Sequence, residues 1–201
     1  RKQVILEEYP ELKEVKAKIY LVNSGDHLLK SMSEKSQKFV YKKLSSTYVD
    51  VLLNKRVKDF NGREVLLNDG SSIKSRNLIW ATGVKGRVFE GLPEDWYEAG
   101  NRLWVNEYHK LQKADHIYAI GDGSIMFSDK NFPEGHPRLA QVAIQQGRNL
   151  AKNLIAAEKG NNPKAFQYKD KGAMAVIGKS NAVADLPNKI HFQGFVALMI
   201  W

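Results

Sequence analysis

The segment Ile117–Gly123, IYAIGDG, constrains this chain more than any other stretch. An apolar run of strand type ends on a glycine, and a carboxylate follows at once. A glycine there lets the backbone come close to another group, because no Cβ stands in the way. In open α/β sheets ligands bind at the carboxyl ends of the strands, where Asp122 would sit. Its carboxylate can accept hydrogen bonds from sugar hydroxyls, and it can equally satisfy the N–H groups of its own turn. An irregular loop follows over Phe127–Arg138, with Pro133, Gly135 and Pro137. A helix is then expected from Leu139 to Ala157, closed by Lys159-Gly160-Asn161-Asn162-Pro163.

That helix carries two faces. At roughly 100° per residue, Ala143, Gly147, Leu150, Ala151 and Leu154 share one side. The side is small and apolar, so it is expected to pack closely on a sheet. Gln141 and Gln145, at i and i+4, stack on the other side with Arg148 beside them. Gln141 lies in the first turn, where backbone N–H groups lack helical partners and the dipole end is positive. Such an end can face the pyrimidine edge of a flavin and favour negative charge there. The two amides can hydrogen-bond a carbonyl substrate; a solvated polar face would read the same.

Upstream, Lys18–Val22 reads as a strand that runs into the turn formers Asn23, Ser24, Gly25 and Asp26. Asn23 thus sits where a dinucleotide domain often carries an acidic residue for the adenine ribose. Ser33 is a candidate N-cap for a helix to about Leu44. Tyr48–Leu53 reads as a strand. Arg56–Phe60 and Glu64–Leu67 form a hairpin about Asn61-Gly62, and Asp69-Gly70 turns the chain again into Ser72–Lys74. Asn77–Ala81, NLIWA, is expected to be a buried strand ending at Thr82-Gly83, with the glycine-containing GVKG beyond it. Leu103–Val105, Phe166–Tyr168 and Ala173–Ile177 complete the expected strands. Strands alternating with helices, plus a meander, point to an α/β fold with portions of two doubly wound nucleotide-binding domains.

Composition excludes several chemistries. The 201 residues contain no Cys, which removes thiolate metal sites, disulfides and cysteine nucleophiles from this chain. The five His are scattered, without the helical spacing zinc sites often use, so no metal is expected. No stretch approaches the ~20 apolar residues of a spanning helix. The net charge of +9 favours acidic partners such as an anionic membrane surface or phosphorylated cofactors. It would also suit a non-catalytic basic module, but no stacking-aromatic motif or recognition helix marks a nucleic-acid binder.

Taken in order, NLIWATGVKG, IYAIGDGS, PRLAQVAIQQGRNLAKNL, FQYKDKGAMAVIG and FQGFVALMIW resemble the type II NADH:quinone oxidoreductases, the non-proton-pumping NADH dehydrogenases of the pyridine nucleotide-disulfide oxidoreductase superfamily. The resemblance spans essentially the whole chain. The ATG and GD motifs are shared widely in that superfamily, whereas AQ-x3-QQG and DKG-x-MA-x-IG are far more specific. It implies a flavoprotein that passes a hydride from NADH to FAD and two electrons to a membrane quinone in a respiratory chain. A related reductase with a soluble acceptor is the rival reading.

By matching motif, Gly121 and Asp122 would contact FAD, Asp122 at the ribityl chain. Gln141 and Val142 would lie by the flavin ring, and Gln141 with Gln145 would border the quinone site. Thr82 and Gly83 would lie in the loop linking the NADH and FAD domains. Asn23 departs from the acidic residue usual in NADH-specific members, which implies relaxed NADH/NADPH preference. The implied division is 1–83 for the end of the NADH domain, 84–159 for the end of the FAD domain, and 160–201 for the start of a C-terminal membrane-associated domain. The protein would then sit peripherally on the cytoplasmic face of the cell membrane, with a homodimer left open. Neither GxGxxG loop of the family is in this sequence, Arg1 reads as the tail of a helix, and Trp201 falls inside an apolar run. The chain is therefore expected to be a C-terminal fragment, inactive alone.

Overall fold

The computed structural model describes residues 18–47 and 49–200. The expected helix tail at Arg1, the start of the strand at Tyr48 and the terminal Trp201 lie outside the described residues. The chain divides into two compact units, one running to Ile79 and resuming at Gly172, the other spanning Trp80–Lys171.

In the first unit β1 (Ile19–Val22) leads through a loop into α1 (Glu34–Ser45) and back to β2 (Val49–Leu52), which pairs parallel to β1. Ser33 caps α1 as its sequence predicts: its Oγ accepts the Ser36 N–H at 3.3 Å. The meander β3 (Val57–Phe60), β4 (Glu64–Leu67) and β5 (Ser72–Lys74) follows in antiparallel order. Both of its tight turns carry the glycine that left-handed geometry requires, Gly62 and Gly70.

The same unit ends in a second antiparallel sheet, β9 (Ala173–Ile177), β10 (Asn181–Leu186) and β11 (Ile190–Gly194), with β10 in the centre. Its two faces bury different things. Val183 joins Leu28, Met32 and Val40, so α1 covers one face. Ala182 and Ala184 join Ala197 of the short helix α3 (Phe195–Ile200), which covers the other. Alternation along β10 produces both contacts from one strand. On α3 itself, Phe195, Val196 and Met199 stay exposed.

The second unit is built from few regular elements. Strands β6 (Tyr97–Glu98), β7 (Arg102–Trp104) and β8 (Ser124–Ile125) make a small mixed sheet. The long helix α2 spans Ala140–Glu158. Leu103, Val105, Leu111, Met126, Val142, Phe166 and Tyr168 form the core between them.

Three expected strands do not form as such. Asn77–Ala81 makes no ladder, and Ile79 and Trp80 are 90% and 62% exposed. A central parallel strand needs a neighbour on each side, and none of the described strands pairs with this segment. Ile117–Ile120 keeps only an isolated bridge, Lys110 to Tyr118. Phe166–Tyr168 is coil, although Phe166 and Tyr168 are buried. Burial predicts the inward side chains there but not the backbone, whose N–H groups go to Glu107 O from Phe166 and to the Asp129 carboxylate from Tyr168 instead of to a ladder. Among the described residues no helix is long and apolar enough to cross a membrane.

Candidate functional site

The site-forming residues of the second unit gather where the Gly121 turn meets α2. Gly121–Gly123 is a single tight turn, with Gly121 at φ +68°. Its N–H donates to Gln146 Oε1 at 2.6 Å. A Cβ at Gly121 would stand 3.3 Å from the Ala143 Cβ, so the glycine permits the approach that the hydrogen bond fixes. Gly147 lets the same helix come near Ile120. Asp122 is exposed at the apex of the turn, in the electrostatic reach of Arg102. Burial and the neighbouring Arg138 lower the Arg102 pKa, and Asp122 acts in the opposite sense. Arg102 donates to Ser124 O at 2.7 Å and His136 O at 3.3 Å, which ties the turn to the loop before α2.

Helix α2 begins at Ala140 with Leu139 as a cap residue that makes no side-chain hydrogen bond, and its first turn holds no acidic residue. Gln141 is half-buried in that turn, and Val142 is 3% exposed with its side chain in the core. Gln145 has a different occupation from the one expected of a substrate contact. Its Nε2 donates to Lys169 O at 2.9 Å and its Oε1 accepts the Lys169 N–H at 3.1 Å. Thr82 and Gly83 lie in an exposed loop, Gly83 at φ +48°. Arg138 donates to Val84 O in that loop. Asn23 belongs to the other unit, at the end of β1, where its Nδ2 donates to Gly25 O and His27 O at 3.1 and 3.0 Å. It thereby closes its own loop.

The buried side of α2 is not the apolar stripe that its small residues suggest. Leu154 is 48% exposed and Ala151 is exposed, whereas Val142, Gln146 and Asn153 are buried. Asn153 grips Lys164 at both backbone groups, accepting its N–H at 2.8 Å and donating to its O at 2.9 Å. Asn149 donates to the same carbonyl at 3.2 Å. The reason is physical: what packs here is coil, whose N–H and C=O groups have no ladder and must still be paired. The spacing of Gln146, Asn149 and Asn153 along one helical face is a signal visible in the sequence once amides are admitted as inward residues.

Two buried histidines complete the site's support. The Nε2–H of His109 donates to Asn149 Oδ1 at 3.1 Å, and its ring lies 4.9 Å from that of Phe166. Burial lowers the His109 pKa to about 4. His136 Nε2 meets Asp129 Oδ2 at 2.9 Å, and Asp129 also accepts the backbone N–H groups of Asn131 and Tyr168. Burial pushes the Asp129 carboxyl up, but those hydrogen bonds outweigh it and hold it below the ordinary value. Burial pushes the Tyr168 hydroxyl up to about 12, with Asp170 adding to the effect. Nothing in the spacing of these residues marks them; the fold alone brings them together.

Residues 6–147 match the pyridine nucleotide-disulphide oxidoreductase family. The chain belongs to that family. The internal alternative NAD(P)H-ubiquinone oxidoreductase A1 of Arabidopsis thaliana mitochondria is 27% identical over 200 residues, covering 92% of this chain and 39% of the relative. The type II NADH:quinone oxidoreductase of Haemophilus influenzae is 29% identical over 175 residues, covering 85% of this chain and 38% of the relative. The chain thus spans about two fifths of the length of these curated relatives. In fold it is similar to the NDH2 of Plasmodium falciparum solved with NADH, at a TM-score of 0.83 and 18% identity, covering 99% of this chain and 56% of that one. The mixed α/β architecture is that of FAD/NAD(P)-type oxidoreductases.

Proposed function

We propose that the protein carrying this chain is a flavoprotein that moves a hydride from NADH to FAD and two electrons on to a membrane quinone. The observation that carries the reading is the juxtaposition of the Gly121 turn and the start of α2, held by the Gly121–Gln146 hydrogen bond. The residues present suit the cofactor. Asp122 stands exposed beyond a glycine cradle where a side chain would crowd Ala143, ready to accept ribityl hydroxyls. The uncapped start of α2 offers positive potential to an electron-rich ring edge at Gln141 and Val142. FAD, when bound, supplies the two-electron chemistry.

In this reading the chain's own residues bind and orient. Gln141 and Gln145 border the quinone, Gln145 by fixing the Lys169 backbone as a wall of that site. Thr82 and Gly83 link the nucleotide domains, which divide as 1–83 and 84–159, with 160–201 beginning a membrane-associated domain. Asn23 faces the adenine ribose without a charge, so NADPH is discriminated against weakly. The protein acts peripherally at the cytoplasmic face of the membrane, as a monomer or a homodimer. This sequence holds no GxGxxG phosphate loop, so the chain by itself does not turn over. Names of relatives and the specific AQ-x3-QQG helix support the quinone as acceptor over a soluble one.

The test is the absorbance spectrum of the full-length protein. A flavin band bleached by NADH and restored by a soluble quinone is the expected result. A protein without a flavin band would defeat the reading.

A further inference from the structure

The coil that carries Lys169 is held by helix α2 and also by the loop before that helix. The N–H groups of Tyr168 and Lys169 are adjacent in the chain, yet they go to different elements. Lys169 donates to Gln145 Oε1 at 3.1 Å, and Tyr168 donates to Asp129 Oδ2 at 3.1 Å. At the other end of the coil Asn153 holds both backbone groups of Lys164, and Phe166 donates its N–H to Glu107 O at 2.8 Å. Asp129 thus meets the coil beside the very residue that Gln145 holds.

The loop around Asp129 holds that carboxylate in one orientation. Its Oδ1 accepts the Asn131 N–H at 3.0 Å, and the Phe132 N–H bonds back to the Asp129 carbonyl at 2.9 Å. Gly135, at φ +87°, brings the chain against Ile125, where a Cβ would stand 2.7 Å from Ile125 Cγ1. His136 follows, and its carbonyl accepts from Arg102 at 3.3 Å. A carboxylate only accepts, so the His136 Nε2–H donates to Asp129 Oδ2, at 2.9 Å. Rings fix the imidazole in turn, with the centroids of Phe132, Phe166 and Tyr168 at 5.4, 5.3 and 5.8 Å. The side chains of Asp129 and His136 are 3% and 1% exposed. A carboxylate in so dry a place is costly unless donors surround it, and apolar packing would fill the same space more cheaply. Asn131 and His136, both close in sequence, orient the group. The bond it then makes at a distance, 39 residues along the chain, is the one to Tyr168.

We infer that Asp129, aimed by His136, is a positioning residue for the electron acceptor: it fixes the Tyr168–Lys169 backbone from the loop while Gln145 fixes it from the helix, and so sets the wall against which the quinone lies. The inference rests on the proposal that Gln145 and Lys169 border the quinone. Asp129 acts through the main chain of Tyr168 and needs no contact with the acceptor. Without it, Lys169 keeps its bonds to Gln145 and Lys164 keeps those to Asn153. The coil then stays attached, but its acceptor end loosens. The step that suffers is binding of the oxidant, after NADH has reduced the flavin.

Kinetics of the full-length protein separate the two half-reactions, with decylubiquinone and ferricyanide as acceptors. Asp129→Asn keeps the size but leaves one acceptor oxygen, so a donor is stranded. It should raise the KM for decylubiquinone about fivefold or more, the worth of one hydrogen bond. The kcat at saturating quinone, the ferricyanide rate and the stopped-flow bleaching of the flavin by NADH should stay within about twofold. Hydrogen exchange should quicken at the Tyr168 amide and stay slow at Lys164. His136→Phe keeps the ring and removes the donor; it should raise the same KM, and it keeps the test open if Asp129→Asn fails to fold. Asn153→Ala loosens the coil at Lys164 and should lower the melting temperature with that KM unchanged. An unchanged KM in the folded variants overturns the inference. So does an equal rise in Asn153→Ala, or flavin bleaching slowed as much as quinone turnover. If neither variant folds, the pair is a folding element and the inference falls. A wild-type protein whose NADH-bleached flavin the quinone does not restore defeats the functional reading itself, and this inference with it.

Discussion

His109 should make the protein lose stability in mild acid, well before its carboxylates protonate. Its ring is fully buried, stacked on Phe166 and bonded to Asn149 through Nε2–H. Burial lowers its folded-state pKa to about 4 from an ordinary 6.5. The unfolded chain therefore binds the proton more readily, and stability is complete above about pH 6.5 and lost as pH falls toward 4. From those two values the loss between pH 7 and pH 5 is about 2 kcal/mol. Asp129 and Asp185 are both held below their ordinary value, so their contributions persist through this window and fail only at lower pH. The assay is urea unfolding at pH 7, 6 and 5. The decisive variant is His109→Asn, since Asn tolerates the φ of +66° at this position. Losing the ring costs about 1 to 3 kcal/mol at pH 7. The variant's stability should then hardly change down to pH 5. A wild-type stability that is flat from pH 7 to 5, or a variant that keeps the drop, would refute the reasoning.

Other expectations are equally direct. Gln146→Ala strands the Gly121 N–H and should cost about 1 to 3 kcal/mol in unfolding free energy, with weaker flavin retention in the full-length protein. Gly172→Ala would put a Cβ 2.2 Å from Asp185 O at φ +91°, so its melting temperature should fall steeply or the protein should fail to fold. Asp185→Asn removes the charge that four donors share and should cost about 2 kcal/mol near neutral pH, a difference that closes as pH drops below 3.8. Asn23→Asp should raise the kinetic preference for NADH over NADPH in the full-length protein; an unchanged ratio would remove Asn23 from the nucleotide site.

Legibility in the sequence followed the range of the forces involved. Ser33 as a cap, the Asn61-Gly62 and Asp69-Gly70 turns and the extent of α2 are local decisions, made within a few residues, and each was readable. NLIWA and IYAI failed as strands because a strand is a statement about a neighbour, and the apolar run says nothing of whether one is there. Periodicity misplaces the inward face of α2 for a related reason. Hydrophobic periodicity assumes that a helix packs on side chains, whereas this one packs on unpaired main chain, which selects Gln and Asn. Of the candidate site, Gly121, Asp122 and Gln141 stand in motifs that the sequence singles out. His109, Asp129 and His136 were not, since no spacing relates residues that meet only through a loop.

To the coil at 164–169, helix α2 serves as a sheet edge assembled from side chains. Gln145, Asn149 and Asn153 present donors and acceptors to its main chain as a neighbouring strand would. The amide hydrogens of Lys164 and Lys169 should therefore exchange as slowly as the helix that accepts them.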